Sequence, residues 1–405
     1  MSKNINDSVE FRHGASIKSR IIQSPMQTWS GHDDGFVSED TLEYYKRRDQ
    51  SAAMVITEYL YVTESGGPAR TSSNTDQQLG IYTDEQMPGL EKIARYLQAS
   101  GNKAVAQIAH AGRESNYKGA KGLPVYAPSA IDFSFLDYDV LEMSQEEIEN
   151  VIDDFAEATR RVIAMGFDGV EIHGANHYLL QQFFSKFSNK REDKWGGSLE
   201  NRMRFPIAVT RAVFDVVKAE APEDFIIGYR ISPEEVHGSI VGYDYTESTQ
   251  LIKALCDEFD FDYIHLSLPQ YDSKPQGQAK TFAELFRPML DDEAKLMIVG
   301  NVMSQEAAED ALQYTDLVAV GRATLIDPDF GLKIYEGRGD EIIREISPEQ
   351  VKASKLTPGL INVFSDKNMQ PALPGAESIY HLNKGGLDAS VIKDGTGAAY
   401  NLDED

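Results

Sequence analysis

The sequence predicts a single α/β domain folded as a (β/α)8 barrel, and three observations carry that expectation. First, eight short runs, at 21–24, 53–57, 104–108, 169–173, 226–231, 263–268, 296–299 and 317–320, are continuously apolar rather than alternating. Strands covered on both faces read this way, as they do in parallel sheets. Second, longer stretches of helical period separate these runs. The clearest opens at Ser144 with Glu147 three positions on, a capping box; apolar residues recur at Ile148, Val151, Ile152, Phe155, Val162 and Ile163, and Gly166 closes it. Third, one phrase recurs at three helix-to-strand junctions: Phe167-Asp168-Gly169, Phe261-Asp262-Tyr263 and Thr315-Asp316-Leu317. A repeated helix–Asp–strand unit points to an architecture built by repetition. A doubly wound sheet is the competing arrangement. Its first strand would lead into a glycine fingerprint, whereas here the first run leads into Ser24-Pro25-Met26-Gln27.

The eight units place the barrel in residues 1–345, leaving 346–405 as a C-terminal extension expected to be peripheral or partly disordered. Two long loops interrupt the pattern: 111–143 after the third run and the strongly polar 185–203 after the fourth. The first holds Gly112, Gly119, Gly122, Pro124 and Pro128 among aromatics and reads as an ordered loop or small hairpin. Both follow strand C-termini, the active face of such barrels, and loops of that length are usually functional.

Composition narrows the function. With 65 acidic and 39 basic side chains the net charge is −26, a field that repels nucleic-acid backbones and anionic membranes. The lone cysteine, Cys256, lies in an apolar helical pattern and reads as a small buried side chain. It excludes a disulfide framework, zinc ribbons and cysteine-ligated iron–sulfur clusters. Apolar runs fall short of the ~18 residues a membrane span needs. The first twenty residues carry Lys3, Asp7, Glu10 and Arg12 and no signal-type apolar stretch. A cytoplasmic enzyme acting on small molecules is expected, possible homo-oligomer formation being left open.

The strand ends supply the candidate chemistry. His173 and Asn176 lie just past the fourth run and present neutral hydrogen-bond donors for a carbonyl or nitro oxygen. A lone strand-end histidine is more often structural, but three polar side chains at 173, 176 and 178 favour function. The Tyr178 phenol, with an ordinary pKa of about 10, keeps its proton until a strong carbon base is presented. After the seventh and eighth runs, Gly300, Asn301, Gly321 and Arg322 suit a phosphate: glycine admits backbone N–H groups and a guanidinium donates bidentately. The competing reading for Arg322 is an ion pair with Asp327 or Asp329.

Residues 11 to about 345 resemble the Old Yellow Enzyme family of FMN-dependent ene-reductases and NADH:flavin oxidoreductases. The resemblance rests on Arg20-Ile21-Ile22-Gln23-Ser24-Pro25-Met26, Ala106-Gln107-Ile108-Ala109-His110-Ala111-Gly112-Arg113 and Glu171-Ile172-His173-Gly174-Ala175-Asn176-His177-Tyr178-Leu179-Leu180. Trp195-Gly196-Gly197-Ser198-Leu199-Glu200-Asn201-Arg202, Arg230-Ile231-Ser232-Pro233 and Val320-Gly321-Arg322 follow in the family's order. It implies bound FMN, with Pro25, Met26, Gln27 and Tyr59 bordering the isoalloxazine and Gln107 reading its pyrimidine edge. Arg230 would stand near N1 and the C2 carbonyl, and Gly300, Asn301, Gly321 and Arg322 would hold the phosphate. It further implies NADH or NADPH as exchangeable reductant and an electron-poor alkene as acceptor. The acceptor's oxygen would rest on His173 and Asn176, with Trp29 alongside, while Tyr178 protonates the α-carbon. Two departures bear on this. Gln27 stands where many members carry threonine or cysteine, and Tyr59 where a small residue is common. The alternatives are a flavin enzyme of the same fold with a quinone, nitro or oxygen acceptor, and a non-redox barrel acting on a phosphorylated metabolite. The last leaves Gln107 and Arg230 without a role and lacks a strand-end lysine for a Schiff base.

Overall fold

The structure, a computed structural model, describes residues 3–67, 78–115, 118–119, 122–134, 136 and 138–385. Eight parallel strands close into a barrel: β1 (Ile21–Gln23), β2 (Met54–Tyr61), β3 (Lys103–Ala109), β4 (Gly169–Gly174), β5 (Ile226–Ile231), β6 (Tyr263–Ser267), β7 (Lys295–Val299) and β8 (Leu317–Val320). Each pairs with its sequence neighbour, and β8 closes on β1. All eight apolar runs are barrel strands, and the helix expected at Ser144 spans Gln145–Ala164 with its capping box formed.

The repeated aspartates explain themselves here. The carboxylate of Asp168 accepts the N–H of Ala104, that of Asp262 the N–H of Ile227, and that of Asp316 the N–H of Leu296, at 2.8, 2.8 and 2.9 Å. Each thus satisfies a donor near the N-terminal end of the preceding strand and pins the strand that follows it at the barrel floor. The short strands Val9–Glu10 and Ser16–Ile17 pair antiparallel, and Phe11, Val9 and Ile17 cluster with Ile22, Met54, Val105, Tyr263 and Met297, plugging the floor. Inside, Gly228 makes room for a neighbouring ring, since a Cβ there would lie 2.1 Å from Tyr263 Cζ.

Three expectations are corrected. β2 does not end at Thr57 but continues to Tyr61 through a register shift between Ile56 and Tyr59. The shift behaves as a bulge: Thr57 Oγ1 accepts the Gln107 N–H, and Glu58 points into a buried polar pocket. The loop after β3 contains no hairpin among its described residues, because Tyr126–Ala127 and Leu141–Glu142 pair in parallel. Arg191, from the loop after β4, braces it by donating to the carbonyls of Pro128 and Met143. Finally, residues 346–385 are not peripheral. Helices Pro348–Ala353 and Pro358–Phe364 bury Val351, Leu360, Val363 and Phe364 in the main core. Residues 386–405 of the expected extension lie outside the described residues. Among the described residues no helix is long and apolar enough to cross a membrane.

Candidate active site at the strand ends

The ends of β3 to β6 turn polar together. In-register residues of parallel neighbours face the same side, and the register aligns Gln107 with Glu171, His173 with Arg230, and Arg230 with His265. Gln107 Nε2 donates to Glu171 Oε1 at 2.6 Å, and the other Glu171 oxygen lies 2.9 Å from His265 Nδ1. Burial alone would raise the Glu171 carboxyl; His265, Arg230 and the Gln107 amide outweigh it and hold it below the usual range. An anionic, fully buried carboxylate therefore lies close to Arg230. One terminal nitrogen of Arg230 donates to Ser267 Oγ at 3.0 Å, while its Nε is buried without a partner. Leaving a buried donor unmet costs roughly 1–3 kcal/mol, a cost that an acceptor-rich planar group bound here would remove. The carbonyl and ring-nitrogen edge of a flavin is chemically such a group, so the residues fit it.

The turn after β4 is built from strained backbone. Asn176 and His177 have φ of 60° and 62°, the left-handed region that side-chain-bearing residues seldom adopt. Two bonds secure it: Asn176 N–H donates to Ser232 Oγ at 3.0 Å, and His177 N–H donates to Gln181 Oε1 at 3.1 Å. The turn carries Asn176 and Tyr178 up to His173 at the end of β4. Asn176 Oδ1 comes within 3.4 Å of Ser267 Oγ. The Tyr178 ring stands edge-on to both His173 and Tyr59, with centroids 5.0 and 4.9 Å away. Burial, then Arg230 and His265, push His173 well below 6.5, so its imidazole is neutral. Its Nδ1 accepts the Ala175 N–H at 3.4 Å, which assigns the ring proton to Nε2. Burial raises the half-buried Tyr178 phenol, whose oxygen accepts from Gln27 Nε2 at 3.1 Å.

A second group forms at the ends of β7 and β8. Arg322 donates to Asn301 Oδ1 at 2.7 Å, and Asn301 Nδ2 donates to Gln270 Oε1 at 3.1 Å. A Cβ on Gly300 would meet the Tyr271 backbone nitrogen at 2.4 Å, so glycine is demanded there by crowding, whereas one on Gly321 would meet only the movable Met26 Sδ, at 2.9 Å. Asp327 and Asp329, weighed as partners for Arg322, are taken by Lys333 and Arg47. Pro25, Met26 and Gln27 are half-buried and span the two groups, with Met26 beside Gly321 and Gln27 on Tyr178.

Trp29 lies two residues past Gln27 in the same loop. It is buried in the main core with φ of 43°, and a Cβ on Gly359 would lie 2.2 Å from its carbonyl oxygen. Sequence reasoning also missed residues. Ser267 ends the apolar run of β6 with a hydroxyl, a signal of the same kind as those read at the other strand ends. The Glu171–His265 pair carried no sequence signal, because the partners lie on strands two apart around the barrel.

Beside the turn, ligand atoms of buried His177, Glu235 and His237 lie within 4.8 Å of one another. The Gln181 amide nitrogen sits among them, 2.8 Å from Glu235 Oε2 and 3.2 Å from His177 Nδ1, closing the cluster as a hydrogen-bonded network.

Residues 9–341 match the model of the NADH:flavin oxidoreductase / NADH oxidase family. The chain is 39% identical over 339 residues to the probable NADH-dependent flavin oxidoreductase YqiG of Bacillus subtilis, covering 82% of this chain and 88% of that protein. It is 37% identical to the NADH:acrylate oxidoreductase of Vibrio harveyi, where the match covers 81% of this chain but only 32% of the larger protein. Among solved structures, the Old Yellow Enzyme homologue from Zymomonas mobilis superposes with a TM-score of 0.72 at 25% identity, over 88% of this chain and 99% of that one. Morphinone reductase, in complex with tetrahydroNAD, superposes with a TM-score of 0.69 at 26% identity, over 86% and 94%.

Proposed function

Because the chain belongs to the Old Yellow Enzyme family of NADH:flavin oxidoreductases, an FMN-binding, NAD(P)H-dependent group, we propose that it reduces electron-poor alkenes. When bound, FMN supplies the redox chemistry, taking hydride from NADH or NADPH and passing it to the acceptor's β-carbon. In this reading Gln107 and Arg230 meet the pyrimidine edge, with Pro25, Met26, Gln27 and Tyr59 along the ring system. Gly300, Asn301, Gly321 and Arg322 hold the phosphate. The Arg230 guanidinium would favour the negative charge of the reduced cofactor.

The single observation that carries the alkene reading is the convergence of neutral His173, Asn176 and Tyr178 on one side of the Arg230 cluster. An enone-type oxygen resting on His173 Nε2–H and the Asn176 amide gains charge as the β-carbon is reduced. Those bonds therefore strengthen in the transition state, which is what accelerates the step. Tyr178 O–H then breaks, its proton forms the new C–H bond at the α-carbon, and the phenolate is reprotonated from water. Acrylate and fumarate, the acceptors named for two relatives matched over only 32% and 36% of their length, are alkenes conjugated to carboxylates.

The test is anaerobic: the FMN-loaded protein is reduced with NADH or NADPH and reoxidised with a panel of enones, unsaturated carboxylates, quinones, nitro compounds and oxygen. Saturated product formed stoichiometrically from an alkene is expected. Reoxidation by quinones, nitro compounds or oxygen but by no alkene would replace this reading with the other acceptor class.

A further inference from the structure

Gln27 has a partner that its place beside the cofactor does not explain. Its amide nitrogen donates to the Tyr178 hydroxyl at 3.1 Å, so the phenol oxygen is an acceptor there and its own proton is turned elsewhere. The phenol ring is held from two further sides by the rings of His173 and Tyr59, inclined at 79° and 64° to it. Tyr59 is itself tied down through its hydroxyl, which donates to Gln78 Oε1.

The backbone that carries Gln27 is held with unusual care. Thr28 N–H and Oγ1 both donate to the buried Glu58 carboxylate, at 3.2 and 2.6 Å. Thr357, from the helix after the barrel, donates to the Thr28 carbonyl, and Gly359 lets the Trp29 carbonyl approach where a Cβ would collide. Three anchors from two distant segments therefore set the position of one amide.

We propose that Gln27 is a positioning residue for proton delivery: it aims the Tyr178 O–H at the acceptor and holds the phenolate that remains. When the proton leaves for the α-carbon, the O–H electron pair stays on Tyr178 oxygen, where Gln27 N–H···O⁻ becomes a charge-assisted bond. Burial opposes that charge, while hydrogen bonding from Tyr59 and then from the Gln27 amide favours it. The proposal rests on Tyr178 as the proton donor.

The experiment is a double-mutant cycle on the FMN-loaded protein with Gln27→Met, which matches the side-chain length without an N–H, Tyr178→Phe and their combination. The reading is the ratio of alkene-driven to quinone-driven reoxidation, because only the alkene needs a carbon protonated. A hydrogen bond to a forming charge is worth about 1.5–3 kcal/mol, so Gln27→Met should lower the ratio about 10- to 100-fold. It should also enlarge the solvent deuterium isotope effect of the alkene step. In the Tyr178→Phe background the same change should have no further effect on the ratio. Gln27→Leu makes the same prediction should Gln27→Met bind FMN poorly. An unchanged ratio, or an equal loss in the Tyr178→Phe background, overturns the role of Gln27 while leaving Tyr178 as donor. If Tyr178→Phe alone leaves the ratio unchanged, the Tyr178 reading falls and the role of Gln27 with it.

Discussion

In the proposed reading, a histidine that stays neutral suits the acceptor better than one that charges. His173 offers Nε2–H without placing a second cation beside Arg230, and its donor is preserved as pH falls past the ordinary histidine value. Glu58 is set the opposite way. Burial outweighs the bonds from Thr28 and Tyr45 and pushes its carboxyl up to about 7. A carboxyl raised in the folded state holds its proton there while the unfolded chain has released it. Folding stability therefore falls as pH rises from about 4.5 to about 7 and is level above. Glu58→Gln removes this dependence. The Tm difference between variant and parent should shift in the variant's favour across that window, by the equivalent of at most about 3 kcal/mol. A difference that is constant from pH 4.5 to 8 would show that Glu58 is not titrating there.

At the level of elements, the floor of the barrel was readable and its roof only partly so. The strands announced themselves as apolar runs because both of their faces are covered, and the aspartates repeated because each must meet a backbone N–H of the preceding strand. Asp262 is the most buried of the three; it accepts from Ile227 N–H and faces His13 Nδ1 at 2.9 Å. Asp262→Ala should cost about 1–3 kcal/mol and lower Tm by several degrees, with FMN content retained, as thermal melts and flavin absorbance would show. An unaltered Tm would mean the repeated aspartate is ornamental. What the sequence hid were features set by geometry rather than by periodicity. The register shift at Ile56–Tyr59 has no glycine or proline to mark it. The left-handed pair Asn176–His177 is sustained by Ser232 and Gln181, which strand-end reading does not connect to it. Trp29, expected beside the acceptor, has a left-handed backbone with φ of 43° and is buried, a conformation no residue type in the loop announces.

Across the whole molecule, labour is divided around the rim. β3, β5 and β6 present the Gln107, Arg230 and Ser267 side, β7 and β8 the Arg322 side, and the β4 turn the His173–Asn176–Tyr178 face. The segment past the barrel is part of this plan, since Thr357 and Gly359 hold the β1 loop from which Gln27 reaches Tyr178. Against the chain's charge of −26, an anionic phosphate-bearing cofactor would need local cations, the role the proposed reading gives Arg230 and Arg322. The central claim, that this rim delivers a proton to carbon, is tested most directly by following reoxidation of the reduced enzyme in rapid-mixing experiments. The parent and Tyr178→Phe are compared with an enone and with a quinone. The account predicts that the substitution lowers the enone-to-quinone rate ratio by about 100-fold or more, the range of a general acid's contribution starting there. Equal slowing with both acceptors would contradict it.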